Sequence, residues 1–238
     1  MKGSTFVTRF QPSPNFEDRW NGLEPRLVVL HYTGMASGQA AVDWLCNPIS
    51  KVSCHYLVDI DGSIVQMVDE DHRAWHAGVS SWFGETDTNS TSIGIEIQNE
   101  GHPAGCPPFP LLQMQAVAQL TLDIMARHAM APHQAVAHSD VAPGRKVDPG
   151  EAFPWDWLAE RGIGQHIVAT GGVQSVAFVH VKKRLQQLGY GVPALDGDEH
   201  ASKVVLQAFQ RRYRRGLVTG TIDLETSEIL ERLGAISS

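Results

Sequence analysis

The chain has little cysteine and arranges none of it for metal or redox work. Cys46, Cys54 and Cys106 form neither a CxxC pair nor an even framework, which excludes zinc-ribbon, thioredoxin-like and disulfide-scaffold proteins. Free thiols in a reducing compartment are expected. Long apolar runs are missing too: no segment approaches the roughly 18 residues of a membrane span, and the start MetLysGlySerThrPheValThrArgPheGln lacks the apolar stretch of a secretory signal. The expectation is a soluble, cytoplasmic protein with no export address. Basic charge is also short, with 19 Lys and Arg against 26 Asp and Glu and a net charge of -7. A surface of that sign is a poor partner for nucleic acid or an anionic membrane. Fixed-period repeats and low-complexity tracts are absent. With 42% hydrophobic residues over 238 positions, the chain can build one large core, or one core with a small satellite.

What the sequence does have is histidine, 11 in all. Any metal chemistry here would therefore use nitrogen and oxygen ligands. Residues 1–25 are polar and turn-rich and read as an extended lead-in. LeuValValLeu at 27–30 reads as a buried central strand, which leaves His31 at its C-terminal end. A helix is predicted over 39–45, a hairpin around the AspGly turn at 61–62, and a long loop over 72–90. Residues 92–98 alternate, with Ile93, Ile95 and Ile97 on one face and Ser92, Gly94 and Glu96 on the other, which is the pattern of a half-buried strand. A helix over 111–128, a short strand over 135–138 ending in His138, and a short helix over 155–161 follow.

Beyond GlyGly at 171–172 the composition changes. Three short helices are predicted at 179–188, 201–214 and 224–233, the middle one ending in Arg211, Arg212, Arg214 and Arg215 as a solvated helix end. The fold class is therefore α/β, with a mixed central β-sheet flanked by helices, followed by a small C-terminal three-helix domain. The expected division is 1–164, a linker over 165–175, and 176–238.

His31 and His138 with Asp148, in the loop after the second strand, would supply two imidazoles and one carboxylate. That is the ligand count of a catalytic zinc site with one position open. A lone strand-end histidine is more often structural, and no local motif such as HExxH joins this pair. Four segments sharpen the reading: LeuHisTyrThrGly at 30–34, AlaTrpHisAlaGly at 74–78, SerIleGlyIleGluIle at 92–97, and HisSerAspValAlaProGlyArgLysValAspProGly at 138–150. In this order they closely resemble the zinc-dependent N-acetylmuramoyl-L-alanine amidases, which share a fold with phage amidase-lysozymes and peptidoglycan recognition proteins. The resemblance runs from about residue 13 through 164.

The resemblance implies one zinc ion per chain held by His31, His138 and Asp148, with Glu96 as general acid/base and Lys146 as the cationic stabiliser. Arg145 matches a position that meets a carboxylate of the stem peptide. Trp75 and His76 either border the substrate groove or plug their loop into the core. The position of a catalytic Tyr in phage and recognition-protein relatives falls here on Cys54, so that role is not carried over. The implied reaction is hydrolysis of the amide between the lactyl group of (anhydro)N-acetylmuramic acid and L-alanine, on muropeptides released during wall turnover. Alternatives are an exported or phage-type lytic enzyme acting on intact sacculus, and a non-catalytic muropeptide-binding protein. The C-terminal segments at 181–190, 208–211 and 220–226 resemble the small helical peptidoglycan-binding domain of wall hydrolases, and a module that only packs against the catalytic part is the other reading.

Overall fold

The structure, a computed structural model, describes residues 2–171, 178–192 and 199–236. In chain order its elements are β1 (Arg9–Phe10), β2 (Phe16–Asp18), β3 (Leu27–Tyr32), α1 (Gly38–Leu45), β4 (Tyr56–Val58), β5 (Ile64–Gln66), β6 (His72–Ala74), α2 (Thr88–Thr91) and β7 (Ser92–Ile97). Then come α3 (Leu111–Arg127), β8 (Ala135–Ala137), α4 (His138–Val141), α5 (Trp155–Ala159), α6 (Phe178–Gln187), α7 (Glu199–Tyr213) and α8 (Leu224–Ile236). Six strands form a mixed sheet in the order β1-β5-β4-β7-β3-β8, and β2 pairs with β6 separately. The branched run at 27–30 is central, with β3 parallel to both β7 and β8. The predicted hairpin is the antiparallel β4–β5 pair.

Side-chain alternation decides what each face meets. Val28 and Leu30 of β3 and Ile93, Ile95 and Ile97 of β7 share a core with Met114, Val117, Leu120 and Ile124 of α3 and with Trp155 of α5. Each fully buried aliphatic side chain there contributes roughly 1.5–3 kcal/mol. The opposite face carries two apolar patches. Leu27, Val29 and Val136 lie under Val181, Leu206, Phe209 and Ile229 of the three C-terminal helices. Leu57, Val65 and Met67 lie under Ala41, Val42 and Leu45 of α1. The polar face of β7 is covered at Gly94 by His76, from the loop before the strand, and by Cys54, from the segment just ahead of β4.

Several expectations give way. Residues 1–25 hold two short strands: β1 runs parallel to β5, and β2 antiparallel to β6. Strands of two or three residues are too short to leave a periodic trace. The 72–90 segment begins as β6 and ends as α2. His138 does not end a strand but opens the helical turn α4. The arginines at the end of α7 are not solvated: Arg211 pairs with Glu151, Arg212 with Asp140, Arg214 with Asp223 and Glu225, and Arg215 with Asp156. Residues 165–171 run without regular structure, and the backbone N–H groups of Thr170 and Gly171 donate to Glu228 of α8. The rest of the expected linker, 172–175, lies outside the described residues.

Candidate metal centre

Register sets the first two residues of the site. His31 of β3 is directly opposite Glu96 of β7, and both lie on the face that carries Leu27 and Val29. β8 flanks β3 on its other side and delivers His138 at the start of α4, while the loop that follows returns Asp148, tied to the turn by Ser139 N–H donating to the Asp148 carbonyl at 3.0 Å. The site therefore occupies the gap between the two apolar patches. A cleft of about 440 Å³ opens there, and His31, Trp75, His76, Glu96, His138, Arg145, Lys146 and Asp148 all line it. The structure brings together every residue singled out in the sequence.

Three donor atoms converge on one point. His31 Nδ1 lies 2.8 Å from His138 Nδ1, and Asp148 Oδ2 lies 3.1 Å and 2.9 Å from these two nitrogens. The protons can be assigned from the outer contacts. Ser92 Oγ donates to the Thr88 carbonyl at 2.5 Å, so it can only accept from His76 Nε2 at 3.1 Å. His76 Nδ1 is then bare and accepts from His31 Nε2 at 3.0 Å, which leaves His31 Nδ1 bare. His138 Nε2 donates to the Ala77 carbonyl at 3.1 Å, so His138 Nδ1 is bare as well.

Burial drives the His31 pKa down to about 4, with His138 adding to the effect, so the ring is neutral at pH 7. Burial pushes the Asp148 carboxyl up, but the histidines at its oxygen more than reverse this and hold it well below the carboxylate range. Two imidazole nitrogens and a carboxylate oxygen thus face one another within 2.8–3.1 Å in a buried site, an arrangement that a bound cation satisfies. The spacing suits zinc, whose tetrahedral ligand atoms stand about 3.3 Å apart. His31, His138 and Asp148 fit the metal.

Glu96 Oε2 is buried without a hydrogen-bond partner. Burial and the Asp148 charge raise the Glu96 pKa well above its ordinary value, while Lys146 opposes them. Cys54 is fully buried, and the Glu96 charge adds to burial in pushing its thiol up, so it is inert. Trp75 is half-buried and its indole N–H donates to Glu17 at 3.2 Å. His76 is buried behind His31. Arg145 donates to the carbonyls of Ala77 and Val79, so much of its guanidinium is committed to the loop roofing the site. The sequence reading missed Ser92 and the Ala77 carbonyl. Ser92 had a signal, since the alternation already placed it on the Glu96 face. A backbone carbonyl has none.

A family profile described as N-acetylmuramoyl-L-alanine amidase matches residues 21–151. The chain is 37% identical over 229 residues to the N-acetylmuramoyl-L-alanine amidase AmiD of Escherichia coli, covering 87% of this chain and 82% of that one. It is 33% identical over 171 residues to the 1,6-anhydro-N-acetylmuramyl-L-alanine amidase AmpD of Salmonella typhimurium, covering 65% and 89%. Among solved structures, the complex of Escherichia coli AmiD with the substrate anhydro-N-acetylmuramic acid-L-Ala-D-gamma-Glu-L-Lys matches with a TM-score of 0.78 at 36% identity, over 89% of this chain and 90% of that one.

Proposed function

The chain belongs to the N-acetylmuramoyl-L-alanine amidase family, and we propose that it is a zinc-dependent amidase cutting the bond between the lactyl carbonyl of anhydro-N-acetylmuramic acid and the L-alanine of the stem peptide. The observation that carries this reading is the cluster of bare donor atoms on His31, His138 and Asp148, in one cleft with Glu96 and Lys146. These three residues would hold the metal. When bound, zinc supplies Lewis acidity that acidifies water and polarises a carbonyl, and its charge opposes the burial and the Asp148 charge that raise the Glu96 pKa.

The chain's own groups do the rest. Glu96 as carboxylate takes a proton from the attacking water and then delivers one to the leaving amine nitrogen. Lys146 brings positive charge to the same cleft, where negative charge develops on the amide oxygen. Arg145 keeps the Ala77 carbonyl in place for His138 and offers its remaining N–H groups to a carboxylate of the stem peptide. Trp75 forms part of the groove wall.

The named substrate of the AmiD complex supports a soluble anhydro-muropeptide, and hence a role in recycling wall fragments. Three free thiols support a reducing, cytoplasmic setting. No helix among the described residues is long and apolar enough to cross a membrane. We retain residues 1–164 as the catalytic part and 176–238 as a helical part joined by 165–175.

The test is product analysis by mass spectrometry on an anhydro-muropeptide beside intact sacculi. Release of free stem peptide from the soluble fragment, lost to a chelator and restored by zinc, is expected. Preference for sacculi would overturn the recycling role, and binding without cleavage of either substrate would make the chain a muropeptide-binding protein.

A further inference from the structure

Helix α7 grips the two segments that carry His138 and Asp148. Arg212 is buried, with its side chain 3% exposed, against a fully buried Asp140. Its Nη1 donates to Asp140 Oδ2 at 2.7 Å, and its Nη2 donates to the Ala135 carbonyl at 2.8 Å. These acceptors stand on either side of His138: Ala135 opens β8, and Asp140 lies in the helical turn that His138 begins. Asp140 Oδ2 also accepts from Ala137 N–H at 2.9 Å, and its Oδ1 accepts from the Tyr190 hydroxyl at 2.7 Å. The guanidinium lies 3.9 Å from the centroid of the Trp155 ring, which limits its freedom further. One planar cation therefore spans the bend from which His138 projects. Its neighbours hold the segment after Asp148: Arg211 Nε donates to Glu151 at 2.7 Å, and Arg215 Nη1 donates to the Phe153 carbonyl at 2.6 Å.

Docking of the helices does not need this pair. Leu206, Phe209 and Ile229 already supply an apolar contact with the sheet, and a buried ion pair is no more stabilising than packed apolar residues of similar volume. What a bidentate guanidinium adds is a single permitted geometry. We propose that the helical part is a structural component of the metal centre and that Arg212 is a positioning residue, fixing the His138 bend through Asp140 and the Ala135 carbonyl. The inference deepens the functional reading above and rests on its metal assignment.

The experiment measures zinc affinity by competition with a chromophoric chelator, together with thermal unfolding, for the full chain and two variants. Arg212→Lys keeps a charge but cannot reach both acceptors. Ile229→Ala, in α8, weakens the helical part without touching the clamp. Zinc affinity about 10–100-fold weaker in Arg212→Lys is expected, the scale for losing an outer contact of a metal ligand, with parental affinity in Ile229→Ala. Parental affinity in a folded Arg212→Lys chain, or an equal loss in both variants, overturns the proposal. Should Arg212→Lys fail to fold, hydrogen exchange on the unaltered chain decides, because coupling between two sites is reciprocal. Zinc should slow amide exchange in α7 around Arg212, and identical exchange with and without zinc refutes the coupling. A parent chain that binds no zinc at all would sink the metal assignment itself, and this inference with it.

Discussion

Replacing Glu70 by Gln should destabilise the protein at neutral pH and flatten its response to acid. Glu70 is fully buried at a distance from the cleft. Its Oε1 accepts from the Tyr56 hydroxyl at 2.5 Å and from Arg127 Nη2 at 2.7 Å, and its Oε2 contacts His128 Nε2 at 2.8 Å and a second Arg127 nitrogen. Burial alone pushes this carboxyl up, but the hydrogen bonds from Arg127, His128 and Tyr56 and the Arg127 charge overcome it and bring the pKa from 4.5 down to about 2. At about 1.4 kcal/mol per pH unit, that displacement is worth about 3 kcal/mol. Because the native state keeps the carboxylate ionised to lower pH than the unfolded chain does, the contribution is complete above about pH 4.5 and is lost as pH falls towards 2. For a chain of this size the midpoint should drop by roughly 6–12 °C at pH 7. Thermal unfolding followed by circular dichroism from pH 7 to pH 2, in chelator so that metal binding does not vary, reads both effects. The two proteins should converge in acid. Equal midpoints at pH 7, or a constant gap between the curves down to pH 2, would refute the assignment of Glu70 as an ionised, paired carboxylate.

Two substitutions test the cleft. Glu96→Gln keeps the shape of the side chain but cannot cycle a proton, so it should retain zinc and lose about 100- to 10,000-fold in kcat; turnover near the parent's would remove Glu96 from the chemistry. A Cβ on Gly94 would lie 2.6 Å from His76 Cγ and 2.8 Å from Cys54 Sγ. Gly94→Ala should therefore push His76 off His31 and weaken zinc binding about 10-fold or more, whereas an unchanged zinc dissociation constant would show that His76 does not hold the ligand.

Legibility in the sequence followed the range of the interactions concerned. The alternation of Ile93, Ile95 and Ile97 and the run at 27–30 encode local burial: the run became the central strand expected of it, and the alternating segment became a strand with those three side chains in the core. The motifs meet in one cleft because His31 and Glu96 stand near the C-terminal ends of β3 and β7, while Trp75, His76 and His138 lie just past the ends of β6 and β8. The pairing of His31 with Glu96 depends on strand register, which neither strand reveals alone. Arg212 shows the same limit more sharply. A run of arginines at a helix end reads as solvated until its partner is found 72 residues away. His76 could be read as groove wall or as packed histidine, and the fold makes it both: it lines the cleft while its ring holds His31. The two- and three-residue strands of the lead-in left no pattern to read.

The central claim is that His31, His138 and Asp148 hold a catalytic zinc ion. Elemental analysis of the purified parent chain beside His138→Ala, after dialysis against zinc and removal of the excess, tests it most directly. The account predicts one zinc per parent chain and close to none in the variant, because two remaining ligands do not retain the ion against dialysis. A full zinc complement in His138→Ala, or none in the parent, would contradict it.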